Sequence, residues 1–264
     1  MIQIQNVSKQ YKNKTVLDNV SLEIEPKTLT AFIGPNGAGK STLLNMMGRL
    51  STYDTGRIDI DGLEISSWDS EELAKKLSIL KQANSMHARI TVRELMAFGR
   101  FPHKKGKLGP KCKTLIEKSL KGLGLEEYEH AYIDTLSGGQ LQRAFIGLIL
   151  CQDSDYILLD EPLNNLDMKY SVQIMQLMRH LVDDLGKTVV VILHDINYAA
   201  AYADQVVAFK NGQVFMNDTV DQFLQKPVID ALYDTDVEII QHNNQAFCLY
   251  YNKTLESYPE EMIV

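Results

Sequence analysis

Cysteine is scarce in this chain of 264 residues: Cys112, Cys151 and Cys248 are all it has. They stand far apart, in no CxxC or Cys/His cluster, which excludes a disulfide framework or a zinc-finger layout and fits free thiols in a reducing compartment. Long hydrophobic runs are missing as well. Stretches such as Phe145–Cys151 and Val189–Leu193 fall far short of the ~20 apolar residues that cross a bilayer. A basic excess is absent: 27 Lys and Arg face 34 Asp and Glu, a net charge of −7. That is the wrong field for a general nucleic-acid binder, which must displace counterions from phosphate. The opening Met1-Ile2-Gln3-Ile4-Gln5 alternates like an edge strand and lacks the basic and apolar blocks of a signal peptide, so export is not expected. Internal repeats and low-complexity linkers are also lacking.

A length near the upper limit for one hydrophobic core predicts a single large α/β domain over 1–264 with a smaller subdomain budding from it. Strand-like runs at 2–7, 16–25 and 57–62, broken by Pro26-Lys27 and Asp61-Gly62, predict an N-terminal antiparallel sheet. Leu29–Ile33 is a short apolar strand, and Lys40–Arg49 has helical composition. From about 83 to 152 the chain reads as a helical subdomain, with pieces at 91–99, 112–123 and 138–151. Tyr156–Leu159 and Thr188–Leu193 are apolar without alternation, as in a parallel sheet covered on both faces. Between them Ile174, Leu177, Met178, Leu181 and Leu185 recur at helical spacing, a core-packing stripe ended by Gly186. Asn211-Gly212 predicts a hairpin, and a second joins 237–240 with 246–250. Residues 218–264 form a C-terminal extension whose last dozen residues, Glu-rich and aperiodic, are expected to fray.

The chemistry is concentrated in a few short segments. Gly34-Pro35-Asn36-Gly37-Ala38-Gly39-Lys40-Ser41-Thr42 follows a strand and opens a helix, the context a phosphate-binding loop requires. Its glycines let backbone N–H groups and the positive end of the helix face one anion. Lys40 is placed to reach β- and γ-phosphates, Ser41 to ligate Mg²⁺, and Thr42 to touch the α-phosphate side. Asp160-Glu161 ends a buried strand at the ligand edge of the sheet, which suits Asp160 to magnesium and Glu161 to polarising a water as general base. His194 ends the next apolar strand and is a candidate to hold the γ-phosphate and that water. Gln82 follows Ser78-Ile79-Leu80-Lys81. Alone, each of these polar strand ends has a plain structural reading; their pairing with the phosphate loop gives them a role.

Leu136-Ser137-Gly138-Gly139-Gln140 is more selective still, a match expected by accident on the order of once in several thousand chains. Ser137 and its glycine pair open a helix, leaving amide donors and a positive dipole in need of an anion.

Taken in order, the phosphate loop, Gln82, the 136–140 segment, Leu158–Glu161, Asn165-Leu166-Asp167 and His194 resemble the nucleotide-binding subunit of ATP-binding cassette (ABC) transporters, over nearly the whole chain. The resemblance implies an α/β fold with a P-loop NTPase core, an N-terminal antiparallel β-subdomain and an inserted helical subdomain. It implies ATP and Mg²⁺, and a head-to-tail homodimer in which Ser137, Gly138, Gly139 and Gln140 of one copy complete the ATP site held by Lys40 of the other. It gives Tyr11 the task of stacking on adenine, Gln82 that of sensing magnesium, and Asp167 a contact across the dimer. Two integral-membrane permease subunits would be the partners, with an external solute-binding protein delivering cargo and no nucleic acid involved; the subunit would sit peripherally on the cytoplasmic face of the membrane. Thr91–Leu95 with Gly99–His103, and His194–Ala199 with Tyr202–Asp204, are similar to importers of iron-siderophore complexes, haem and vitamin B12. Lys81 and Leu141 depart from the family's usual residues. A non-transport clamp acting on a macromolecule is the alternative, although two cassettes in one chain or a coiled-coil insertion are not seen. A GTP switch lacks its guanine-reading Asp after Asn13-Lys14 or Asn252-Lys253. The basic stretch Arg100, His103, Lys104, Lys105, Lys107, Lys111 and Lys113 is either a solvated loop or a contact for anionic lipid or a permease loop.

Overall fold

The computed structural model describes residues 1–82, 89–104, 108–243 and 245–251. Apolar alternation forms the first hairpin, in which β1 (Ile2–Tyr11) and β2 (Lys14–Ile24) pair antiparallel and bury Ile2, Ile4 and Val7 against Leu17, Val20, Leu22 and Ile24. Then come β3 (Leu29–Ile33), wholly buried, and α1 (Lys40–Met47), joined by the glycine loop. β4 (Thr55–Ile60), β5 (Leu63–Glu64), α2 (Ser70–Lys76) and β6 (Leu77–Leu80) precede a helical block. That block comprises α3 (Val92–Phe98), α4 (Phe101–Lys104), α5 (Pro110–Gly122) and α6 (Gly138–Gln152). It is followed by β7 (Tyr156–Asp160), α7 (Met168–Asp183) and β8 (Thr188–Ile192). The rest comprises α8 (Ile196–Tyr202), β9 (Gln205–Lys210), β10 (Gln213–Thr219), α9 (Val220–Phe223), α10 (Lys226–Tyr233), β11 (Glu238–His242) and β12 (Gln245–Leu249).

The central sheet has the order β10-β9-β3-β8-β7-β6, parallel except for the β9–β10 hairpin, and β2-β1-β4-β5 form the antiparallel sheet. Side-chain alternation divides the central strands between two cores. Phe32, Leu158, Val190, Ile192 and Phe209 pack with β1, β2, β4 and α1; Ile33, Leu159, Val189, Val191 and Ala208 pack with α3, α5, α6 and α7. Both faces are thus covered, as the unbroken apolar strands predicted.

Several boundaries differ from the sequence expectation. β1 runs on to Tyr11 through register shifts after Ile4, with polar residues that carry no alternation. α1 stops at Met47 because Arg49 takes a left-handed φ of 55° and turns its guanidinium onto the Trp68 carbonyl at 2.7 Å. α2, α8, α9 and α10 are too short for a periodic signal. The frayed tail expected beyond 251 lies outside the described residues, as do Lys105 and Lys107.

Gly34 shows what fixes the phosphate loop. It holds φ +137°, and a Cβ there would lie 2.1 Å from the Phe209 carbonyl oxygen of β9, whereas Gly37 at φ +77° faces open space. Gly34→Ala should therefore destabilise the fold by at least about 3 kcal/mol, and Gly37→Ala by only about 1 kcal/mol. Equal midpoints for the two variants in urea denaturation would show that the close approach to β9 is not what demands glycine.

Candidate functional site

Four parallel strands end along one edge of the sheet, and each delivers a polar group there. β3 leads into the loop that begins at Gly34, β8 into His194, β7 into Asp160-Glu161 and β6 into Gln82. Because Asp160 pairs with Ile192 and Leu80 with Leu159, residues just beyond these ends converge. A concavity of about 570 Å³ results, lined by Val16, Asn36–Thr42, Gln82, Glu161, Asn164 and His194.

Glu161 is the hub of this concavity. His194 Nε2 lies 2.6 Å from its Oε1, while Gln82 Nε2 and Asn164 Nδ2 donate to Oε2 at 2.5 and 2.6 Å. Its backbone adopts φ +50°, a left-handed conformation uncommon for glutamate that costs about 1–2 kcal/mol. A carboxylate accepts at about four lone-pair positions, so the three donors leave Oε1 able to take a further proton donor such as water. Asn164 was not singled out from sequence. The signal for it was a tight turn after Glu161-Pro162, in which the Asn164 N–H donates to the Glu161 carbonyl at 3.3 Å.

Deeper in, Lys40 and Asp160 are 5% and 4% exposed. Burial pushes the Lys40 pKa down, against the pull of Glu161 and Asp160. Lys40 Nζ donates to the carbonyls of Gly34 and Pro35 at 2.6 and 2.9 Å. Burial also pushes the Asp160 carboxyl up, opposed by the Ser41 hydroxyl that donates to its Oδ1 at 2.9 Å. A serine hydroxyl and a buried carboxylate so joined are the hard oxygen donors that suit a small divalent cation bound together with phosphates.

The segment 136–140 lies elsewhere. Ser137 N-caps α6 in a capping box: the Gln140 N–H donates to Ser137 Oγ at 3.4 Å, and the Ser137 N–H to Gln140 Oε1 at 2.9 Å. Asp167 caps α7 by accepting from the Tyr170 N–H at 2.9 Å. Ser137, Gly138, Gly139, Gln140 and Asp167 line a second concavity of about 630 Å³ with Tyr128, Arg143, Asn165, Leu166 and Tyr170. It shares no lining residue with the first. Sequence reading missed Tyr128, Arg143 and Tyr170, which come together only through folding.

Tyr11 stands apart from both concavities, half-exposed at the end of β1, with Lys9 Nζ 5.4 Å from its ring centroid. In the basic stretch, Arg100 Nη1 donates to the Cys151 carbonyl at 2.8 Å and His103 Nε2 lies 2.7 Å from the Gln152 carbonyl. Both serve the C-terminal end of α6, a structural use that the charge pattern did not reveal.

Residues 17–164 match the family model described as ABC transporter. The petrobactin import ATP-binding protein YclP of Bacillus subtilis (strain 168) is 49% identical over 96% of this chain and 100% of its own length. The petrobactin import ATP-binding protein FatE of Bacillus anthracis is 44% identical over 91% of this chain and 96% of its own. Among solved structures, the dimeric post-hydrolysis state of the ATP-binding cassette MJ0796 bound to ADP and Pi superposes with a TM-score of 0.76 at 31% identity, covering 83% of this chain and 99% of that one.

Asp160 gives a test of the site's electrostatics. Its folded pKa lies above the ordinary carboxylate value because of burial, so holding it ionised opposes folding above that range, and the cost vanishes where it is protonated in both states. Asp160→Asn should raise the thermal midpoint at neutral pH, with the gain shrinking as pH falls through the raised pKa towards the ordinary value. A midpoint unchanged or lowered at neutral pH would contradict this assignment.

Proposed function

The chain belongs to the ABC transporter family, and on that premise we propose that two copies of this ATPase close head to tail around two ATP molecules and drive import of an iron-siderophore or related metal chelate. The observation that carries the proposal is the division of the machinery between two separate concavities. One has the phosphate loop, Lys40 and Glu161; the other has the helix start of Ser137–Gln140. A triphosphate bound in the first leaves a face that the second, from another copy, complements. Relatives of nearly equal length named for petrobactin import and for iron(3+)-hydroxamate import support transport of an iron chelate over a clamp on a macromolecule.

In this reading the N–H groups of Asn36–Thr42 and the start of α1 cradle the phosphates, and Lys40 leaves its loop carbonyls to neutralise the β- and γ-oxygens. Glu161 orients the attacking water and takes its proton, with Gln82 and Asn164 fixing Oε2. His194, 2.6 Å from Oε1, holds the γ-phosphate side and positions the carboxylate. Ser41 and Asp160, with Gln82 at the edge, would hold Mg²⁺, which when bound supplies charge neutralisation between the β- and γ-phosphates. Tyr11 stacks on the adenine, and Asp167 meets the partner copy beside Ser137 and Gly139.

Among the described residues no helix is long and apolar enough to cross a membrane. The reading places the subunit on the cytoplasmic face, docked to two permease subunits that receive cargo from a solute-binding protein outside. The helices α3–α6 and the extension from residue 218 onward are then additions to the ATPase core.

Two variants should fail in different ways. Glu161→Gln keeps the hydrogen-bonding shape but not the base, so turnover should fall by about 10²-fold or more while ATP-bound dimers accumulate. Lys40→Ala removes charge from the phosphates and should weaken ATP binding itself. Normal hydrolysis by Glu161→Gln, or ATP-loaded protein that remains monomeric in ultracentrifugation, would overturn the reading.

A further inference from the structure

Arg143 is the residue that the mechanism leaves unused and the structure treats as special. It stands in α6, 4% exposed, on the wall of the concavity that holds Ser137–Gln140 and Asp167. Its Nη1 donates to the carbonyls of Leu123 and Gly124 at 2.6 and 3.1 Å, at the end of α5. Its Cζ lies 3.7 Å from the ring centroid of Tyr170, in the first turn of α7. Its Nε is buried with no hydrogen-bond partner. A guanidinium in such surroundings gives up hydration that two carbonyls and one ring face only partly replace. Simple packing would be served better by an apolar side chain.

The guanidinium joins what the sequence keeps apart. α6 begins at the capping box of Ser137 and Gln140; α7 begins at Asp167, whose carboxylate accepts from the N–H of Tyr170 itself. Gly124 completes the clamp: it takes φ +59°, and a Cβ there would come within 3.3 Å of Arg143 Nη1.

We propose that Arg143 stacked on Tyr170 is a positioning pair that makes the Ser137–Gln140 helix start and the Asp167 turn one rigid face, presented in register to a second copy of the chain and its ATP. The inference rests on the composite-site reading above. Neither residue is given a contact with nucleotide in that reading. Their contribution is to spare the closing dimer the ordering of two independent elements. Arg143 is the nearer cation on that ring, Lys169 Nζ lying 5.5 Å from its centroid. A planar guanidinium stacks where an ammonium of equal charge does not, and phenylalanine offers the same ring face as tyrosine where leucine offers none.

The test uses the full chain carrying Glu161→Gln, with three readouts: the dissociation constant of the ATP-driven dimer by ultracentrifugation, MgATP affinity at dilutions where the chain is monomeric, and the thermal midpoint. Arg143→Lys and Tyr170→Leu should each weaken dimerisation about tenfold or more while leaving monomer affinity for MgATP unchanged. Tyr170→Phe should pair like its parent. The double variant Arg143→Lys/Tyr170→Leu should lose little beyond the worse single, as expected for two partners in one interaction. Parent-like dimerisation by Arg143→Lys or Tyr170→Leu overturns the inference, as does equal loss in Tyr170→Phe and Tyr170→Leu. A parallel fall in monomer MgATP affinity or a collapsed midpoint also overturns it, because it marks general damage. A parent that never dimerises with ATP defeats the composite-site reading itself, and the inference with it.

Discussion

The parallel pairing of β6, β7 and β8 is the constraint on which the site depends. Adjacent strands lie about 4.8 Å apart, so groups one or two residues past the strand ends are held within side-chain reach. Gln82, Glu161 and His194 meet for that reason, although they are far apart in the chain. The register matters as much as the order. Slipping β7 by one residue would turn Asp160 away from Ser41 and send Leu158 and Leu159 to the wrong cores. Apolar packing on both faces sets that register, so the hydrophobic cores locate the polar edge.

That edge concentrates the energetic costs. Lys40 and Asp160 are both almost fully buried, and burial disfavours the charged form of each. Glu161 adds an unfavourable backbone conformation, and Gly34 is pressed against β9. The apolar strands beneath carry these costs. A site assembled in this way is preorganised: its dipoles and charges are oriented by the fold before any phosphate arrives.

How much of this was legible in the sequence depended on locality. The phosphate loop, the strand leading into it, the helix start at Ser137 and the continuous apolar strands are each encoded within a dozen residues, and the structure has them where they were expected. The convergence of Gln82, Glu161 and His194 was inferable from strand-end positions together with a family resemblance, because strand order is not written in any local pattern. Asn164, Arg143 and Tyr170 were invisible for a related reason. Asn164 looked like an ordinary loop residue, and Arg143 and Tyr170 acquire meaning only when α5, α6 and α7 pack. Arg100 and His103 show the opposite case, in which a charge cluster suggested an outward task and the fold turned two of its members onto a helix end.

The separation of the two concavities has a genetic corollary. On the proposed pairing, each copy supplies a phosphate loop to one site and a serine-glycine helix start to the other. A mixed pair made from one copy defective in Lys40 and another defective in Ser137 would then hold one wholly crippled site and one wholly intact site. Two inactive alleles of the same gene could thereby complement each other within a single assembly, which two lesions in a self-contained site could not do.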